Sequence, residues 1–116
     1  MNSIKLFENA EDAKPYSAGQ IIFSVGGEGD VMYAVSEGEV DILSIDGKYI
    51  ETIGPGGIFG EMALIDNERR SANAVAKTDC KLIVIDEKRF TFLVQQTPGF
   101  SIQVMKIMAD RLRRRS

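Results

Sequence analysis

The residues best suited to chemistry lie between Gly54 and Ala72. The turn cluster Gly54-Pro55-Gly56-Gly57 is followed by Phe59-Gly60-Glu61-Met62-Ala63-Leu64, which reads as the start of a very short helix. The first turn of a helix leaves amide protons unpaired, and these favour an anion. Gly60 is where a close backbone approach costs least. Arg70 and Ser71 follow Glu61 by nine and ten positions, at the entrance of the next predicted strand. A guanidinium fork, a hydroxyl and free amides converging on one point suit a phosphate carrying one negative charge. Each residue also has a plainer reading. A glycine before a helix is a cap, a loop arginine is solvated, a serine bonds its own backbone, and an acid is favourable at a helix start. Residue types and spacing therefore give a generic anion site and leave the plainer readings open.

Composition narrows the classes. There is no histidine, which removes the usual catalytic base and the commonest metal ligand. Hydrolase triads, zinc sites and a cupin-like metal oxygenase are disfavoured, so neither an enzyme nor a metal site is expected. Cys80 is the only cysteine and sits beside Leu82, Ile83, Val84 and Ile85, so it is expected to be a buried, inert thiol. The longest apolar runs fall far short of the roughly 20 residues that cross a bilayer, and no secretory leader pattern opens the chain. Neither membrane insertion nor export is expected, and the default location is cytoplasmic. The net charge of -3 hides a split: residues 1–60 hold 3 bases against 10 acids, whereas residues 61–116 hold 11 bases against 7 acids. The basic tail Arg111, Arg113, Arg114 and Arg115 reads as a solvated helix end whose cations suit the helix dipole.

The elements that must position these residues are short strands. Ten of the eleven glycines lie between Gly19 and Gly60, punctuating candidate strands at Gln20–Ser24, Val31–Ser36, Glu39–Ser44, Tyr49–Ile53, Ala72–Ala76 and Lys81–Ile85. Strands recurring with turns about every 8 to 12 residues indicate an all-β sandwich or barrel. Asp46-Gly47 marks a tight turn. In Glu39–Ser44, Val40 and Ile42 alternate with Glu39 and Asp41, and Leu43 spoils the two-sided scheme. After Ile85 the period changes. Asp86 is expected to cap a helix carrying Phe90, Leu93 and Val94. After Pro98 and Gly99, a second helix over about residues 100–113 puts Phe100, Val104, Ile107 and Met108 on one side. Ile102, Met105, Ala109 and Leu112 widen that stripe beyond what packing on one side of a small barrel needs; either the fold satisfies all of it or part pairs with a second copy or an effector, and the spacing does not separate the two. At the front, at most one helical turn fits, and Phe7 is expected to plug an end of the barrel.

At these residues the sequence resembles the cyclic nucleotide-binding domain family, the β-roll sensors of catabolite-activator-type regulators, kinase regulatory subunits and gated channels. Gly19-Gln20-Ile21-Ile22-Phe23, Gly29-Asp30-Val31-Met32-Tyr33-Ala34-Val35 and Ser36-Glu37-Gly38-Glu39-Val40 are similar to its early strands and turns. Phe59-Gly60-Glu61-Met62-Ala63-Leu64 with Arg70-Ser71-Ala72 is similar to its phosphate-binding cassette. The resemblance implies a mainly β jelly roll over about residues 15–86, a short phosphate-site helix and C-terminal helices over about 87–114, all within one domain of residues 1–116. It implies that Glu61 accepts a hydrogen bond from the ribose 2'-hydroxyl, that Arg70 pairs with the exocyclic phosphate oxygen, and that Ser71 donates its hydroxyl. The amides of Gly60, Met62 and Ala72 become candidate polar contacts. The family spacing selects Arg70; Arg69 is expected to point outward and balance Glu68 or Asp66. Ile83, Ile85 and the closing helix are candidate walls for the base. The resemblance implies that threonine at the position of Ser71 favours guanine in a syn pose, whereas serine also occurs in domains similar to cAMP sensors, so cAMP is expected ahead of cGMP.

The chain departs from the bacterial regulators in lacking a long central helix and a DNA-reading helix pair, so nucleic-acid binding by this chain alone is not expected. Its initiating methionine favours a stand-alone sensor or subunit. The alternatives are the sensor fragment of a larger regulator or channel, and a degenerate β-roll scaffold that binds protein without nucleotide. If binding has an output, Met62 and Leu64 are expected to shift against the terminal helices.

Overall fold

The computed structural model describes residues 4–115; Met1 and the side chain of Arg115 lie outside it. Eight strands build two four-stranded antiparallel sheets. They are β1 (Lys14–Tyr16), β2 (Ile21–Phe23), β3 (Met32–Glu37), β4 (Val40–Leu43), β5 (Tyr49–Ile53), β6 (Ile58–Phe59), β7 (Asn73–Ala76) and β8 (Cys80–Ile85). One sheet runs β1-β8-β3-β6 and the other β2-β7-β4-β5, the arrangement of a jelly roll. Helix α1 (Glu61–Asp66) interrupts the strands, and α2 (Glu87–Gln96) and α3 (Phe100–Arg115) follow them. Among the described residues no helix is long and apolar enough to cross a membrane.

Strand alternation divides the interior in two. On β8, Cys80 and Leu82 face the space between the sheets, where they meet Val35, Val40, Phe59 and Ala74. Ile83 and Ile85 join the other cluster, with Met32, Ala34, Phe100 and Val104 beneath the helices. This division overturns one expectation. Phe7, from the single 3-10 turn Lys5–Phe7, does not plug the roll: it packs edge-on against Phe100 at 5.9 Å, on the helix side of the sheet. On α2, Phe90 and Leu93 pack inward, while Val94 is exposed.

Two strands escape the alternation rule. β1 contains Pro15, which an edge strand tolerates because one side of its ladder is unpaired, and it pairs with β8 alone. β6 is two residues long and pairs with Tyr33 and Ala34 of β3. Leu43 falls at a register shift between β4 and β5, which accounts for its break from the pattern of its own strand. The Asp46-Gly47 turn closes that hairpin, with Gly47 at φ 81° and the Ser44 amide donating to the Lys48 carbonyl at 2.8 Å. The Asp86 carboxylate accepts from the Arg89 amide at 2.8 Å and caps α2.

On α3, Phe100, Val104 and Ile107 are buried and Met108 is partly buried against the helix-side core. Ile102, Met105 and Leu112 are each about half exposed. The wide stripe is therefore only partly used within the described residues.

Candidate functional site

The chain leaves β6 at Phe59 and turns through Gly60, whose φ of 75° lies in the left-handed region that favours glycine. A side chain at Gly60 would also stand 2.7 Å from Nη1 of Arg70. Helix α1 then runs for six residues and stops at Asn67, itself left-handed at φ 58°. The return toward β7 is strapped to the β2–β3 loop by the chain itself: the Arg70 amide donates to the Gly27 carbonyl at 3.0 Å, and the Gly26 amide donates to the Arg70 carbonyl at 2.8 Å. Those bonds bring Arg70 beside Gly60.

The result is a pocket of about 460 Å³ whose lining includes Gly60, Glu61, Met62, Arg70, Ser71 and Ala72, all six of the expected site residues. Its apolar wall contains Ile42, Ile50 and Phe59. Four arginines (Arg69, Arg70, Arg111, Arg114) and two glutamates (Glu51, Glu61) also line it, a cationic balance that suits an anion.

Arg70 is 6% exposed, and burial pushes its pKa down against the opposing pull of Tyr33, Asp30 and Glu61. Its charge is held by geometry. Nη1 donates to the Gly60 carbonyl at 2.9 Å, Nη2 donates to the Val31 carbonyl at 2.8 Å, and Cζ lies 4.2 Å from the centroid of the Phe23 ring. Nε is buried without a hydrogen-bond partner.

Glu61 is 6% exposed and is already engaged. Its Oε1 accepts from Nη1 of Arg111 at 2.6 Å. Arg111 also donates from Nη2 to the Ile58 carbonyl at 2.5 Å and from Nε to Glu51 at 3.2 Å. Arg114 reaches Glu51 at 3.7 Å and Asp110 at 3.4 Å. One side chain of α3 thus ties β5, β6 and α1 together across the pocket.

Several expectations need correction here. Arg111 is not a solvated tail residue: its side chain is 17% exposed, partly buried and engaged in ion pairs with Glu51 and Glu61. Its position was legible, because Phe100, Val104, Ile107 and Arg111 step by four, three and four residues along one helix face. Arg69 does point outward, but its fork meets Glu28 at 3.4 Å and the Gly26 carbonyl at 3.1 Å, not Glu68 or Asp66. Ile83 and Ile85 line no part of the pocket, since the strand's alternation turns both toward the helix-side core. The closing helix does line it, through Arg111 and Arg114. Cys80 lies 4% exposed between the sheets, and burial pushes its thiol up from the ordinary range. Among the described residues no group of three or more His, Cys, Asp or Glu side chains is arranged to hold a metal ion.

A family model for the cyclic nucleotide-binding domain matches residues 13–97. The chain belongs to that family. The cyclic nucleotide-binding domain is a regulatory binding module, not a catalytic one, and residues of the segment from Phe59 to Ala72 line the pocket. The cAMP-dependent protein kinase regulatory subunit of Eremothecium gossypii is 44% identical over 91 residues, 78% of this chain and 19% of that protein. The crystal structure of the Thermus thermophilus catabolite activator protein superposes with a TM-score of 0.78 at 32% identity, covering 89% of this chain and 50% of that one. A solved structure from a cyclic-GMP-dependent signalling pathway of bacterial phytopathogenesis gives a TM-score of 0.75 at 30% identity, covering 88% of this chain and 84% of that one. The chain therefore spans half or less of the first two relatives' length.

Proposed function

We propose that the pocket binds a purine 3',5'-cyclic nucleotide, cAMP in preference to cGMP, and that the chain acts as a regulatory sensor or subunit inside the cell. The observation that carries this reading is the placement of buried Arg70 and buried Glu61 on one cationic pocket. In this reading Arg70 pairs with an exocyclic phosphate oxygen and Ser71 donates its hydroxyl to the phosphate. The amides of Gly60, Met62 and Ala72 supply the remaining polar contacts. Glu61 keeps one oxygen for Arg111 and takes the ribose 2'-hydroxyl on the other. The base lies along Ile42 and Ile50, with Arg111 and Arg114 of α3 over it. The preference for cAMP rests on Ser71 and on the name of the fungal kinase subunit; the phytopathogenesis relative keeps cGMP as the second ligand to test.

The output runs through α3. Ligand and helix share Glu61, so a ribose that draws Glu61 inward also acts on Arg111, and the helix favours whichever arrangement the ligand binds better. Leu64 of α1 packs in the same cluster as Phe100 and Val104, a second route between cassette and helix. The half-exposed face containing Ile102 and Met105 is the surface offered to a second copy or an effector. Calorimetric titration of nucleotide-free protein with cAMP, cGMP and linear AMP tests the reading. Saturable heat with a cyclic nucleotide and none with AMP is expected; absence of heat with both cyclic nucleotides contradicts it. Sedimentation with and without cAMP then reports whether α3 pairs.

A further inference from the structure

We infer that Phe23 and Gly29 form a slot that fixes the pose of Arg70, making them positioning residues for anion recognition; as a statement about affinity this rests on the binding function proposed above. The guanidinium carbon lies 4.2 Å from the centroid of Phe23. That ring is backed by Tyr33 and Phe59, each with its centroid 6.0 Å away, and these two stack on one another at 5.2 Å. The shelf is thus a three-ring cluster whose members brace one another.

Gly29 closes the slot. A Cβ at this position would stand 2.5 Å from Nε, 2.6 Å from Cζ and 2.6 Å from Nη2 of Arg70. Near-equal distances to three atoms of one fork put that Cβ over the plane of the guanidinium, not beside it. The Phe23 ring and the Gly29 backbone are thus both packed closely against the guanidinium. Gly29 is not among the glycines with positive φ, so its backbone does not require glycine; the arginine does. The same cover explains why Nε is sealed without an acceptor. Carbonyls of Gly60 and Val31 hold the two terminal nitrogens. The Phe23 ring, the closely approaching Gly29 backbone and the two carbonyls together restrict rotation and sliding of the fork.

The slot separates pose from fold. The atoms a Gly29→Ala methyl would strike are the far end of one flexible side chain. The fold accommodates the methyl by displacing Arg70, and the carbonyl bonds and ring contact are lost together. Gly29→Ala is therefore expected to lower affinity for cAMP at least about tenfold, the scale of losing a positioned charged hydrogen bond, with the fold retained by circular dichroism and the melting temperature lowered by the loss of the two carbonyl bonds. Phe23→Leu removes the shelf and is expected to lower affinity about three- to tenfold. Phe23→Tyr restores a ring and recovers most of that loss, which a loss of generic packing volume would not explain.

A second readout does not depend on ligand. In the wild type the Arg70 Nε–H should appear in nitrogen–proton correlation spectra as a slowly exchanging signal displaced by the Phe23 ring current. In Gly29→Ala and Phe23→Leu it should move toward the position of solvated arginines and exchange rapidly. If the wild type takes up neither cAMP nor cGMP, the binding function fails while this signal still tests the slot. Unchanged cAMP affinity in Gly29→Ala and Phe23→Leu overturns the inference, as does an unchanged Nε–H signal.

Discussion

Replacing Arg111 by methionine strips the pocket of the side chain that holds Glu61, Glu51 and the Ile58 carbonyl together. The aliphatic stem is kept, so little packing volume is lost, but the Glu61 carboxylate is left 7% exposed without its cation. Removing one member of a buried pair costs about 3–5 kcal/mol when burial is complete. Arg111 is 17% exposed, and water reaching the vacated side offsets part of that, leaving about 2–3 kcal/mol. For a 116-residue chain the unfolding entropy is about 0.24 kcal/mol/K, so the melting temperature should fall by roughly 8–12 °C. Urea denaturation followed by circular dichroism gives the free energy directly. The double variant Glu61→Gln with Arg111→Met removes the stranded charge as well, and should be more stable than Arg111→Met alone by at least about 1 kcal/mol, a non-additive outcome expected for contacting residues. A loss below about 0.5 kcal/mol for Arg111→Met, or strict additivity in the double variant, would refute the role given to this pair.

Two further perturbations test other parts of the structure. Asp86→Ala removes the side-chain cap of α2 and should cost about 1 kcal/mol in urea denaturation, with no effect on the pocket. Burial raises the Cys80 thiol, so the folded chain holds that proton to higher pH than the unfolded chain does. Its contribution to stability is full below the ordinary thiol value of about 8.5 and is lost as pH rises through the folded value. Cys80→Ala should flatten that part of the alkaline stability profile. Iodoacetamide should label Cys80 only when denaturant is added, as read by mass spectrometry; rapid labelling of the native protein would contradict its placement between the sheets.

Residues whose roles are local were legible in the sequence. Glycine spacing located the turns, period-two alternation located the longer strands, and Asp86 declared its helix. That Gly60, Glu61, Arg70 and Ser71 would share one pocket was suggested by their lying within one short stretch, although bonds to the distant Gly26 and Gly27 are what bring Arg70 beside Gly60. What escaped depends on contacts between distant segments. Nothing near Pro15 signals that Lys14–Tyr16 will find the edge of β8. Phe7 looked like a plug because its apolarity says that it is buried but not against which cluster. Arg111 looked solvated because its neighbours are arginines, although the helical spacing from Ile107 places it on the buried face. Ile83 and Ile85 looked like pocket walls because alternation shows which residues share a face but not which side that face joins. Gly29 is a turn glycine by sequence, and only the approach of Arg70 shows what its missing side chain makes room for.

In the proposed function, one buried arginine on this pocket makes the chain a receptor for a cyclic nucleotide. Calorimetric titration of cAMP into nucleotide-free wild type and into Arg70→Ala, with the fold of both checked by circular dichroism, tests it most directly. Saturable binding to the wild type that is abolished or weakened at least about a hundredfold in Arg70→Ala is predicted, the loss of a charge-assisted phosphate contact. Equal affinity in the two proteins, or no binding to the wild type by either cAMP or cGMP, would contradict it.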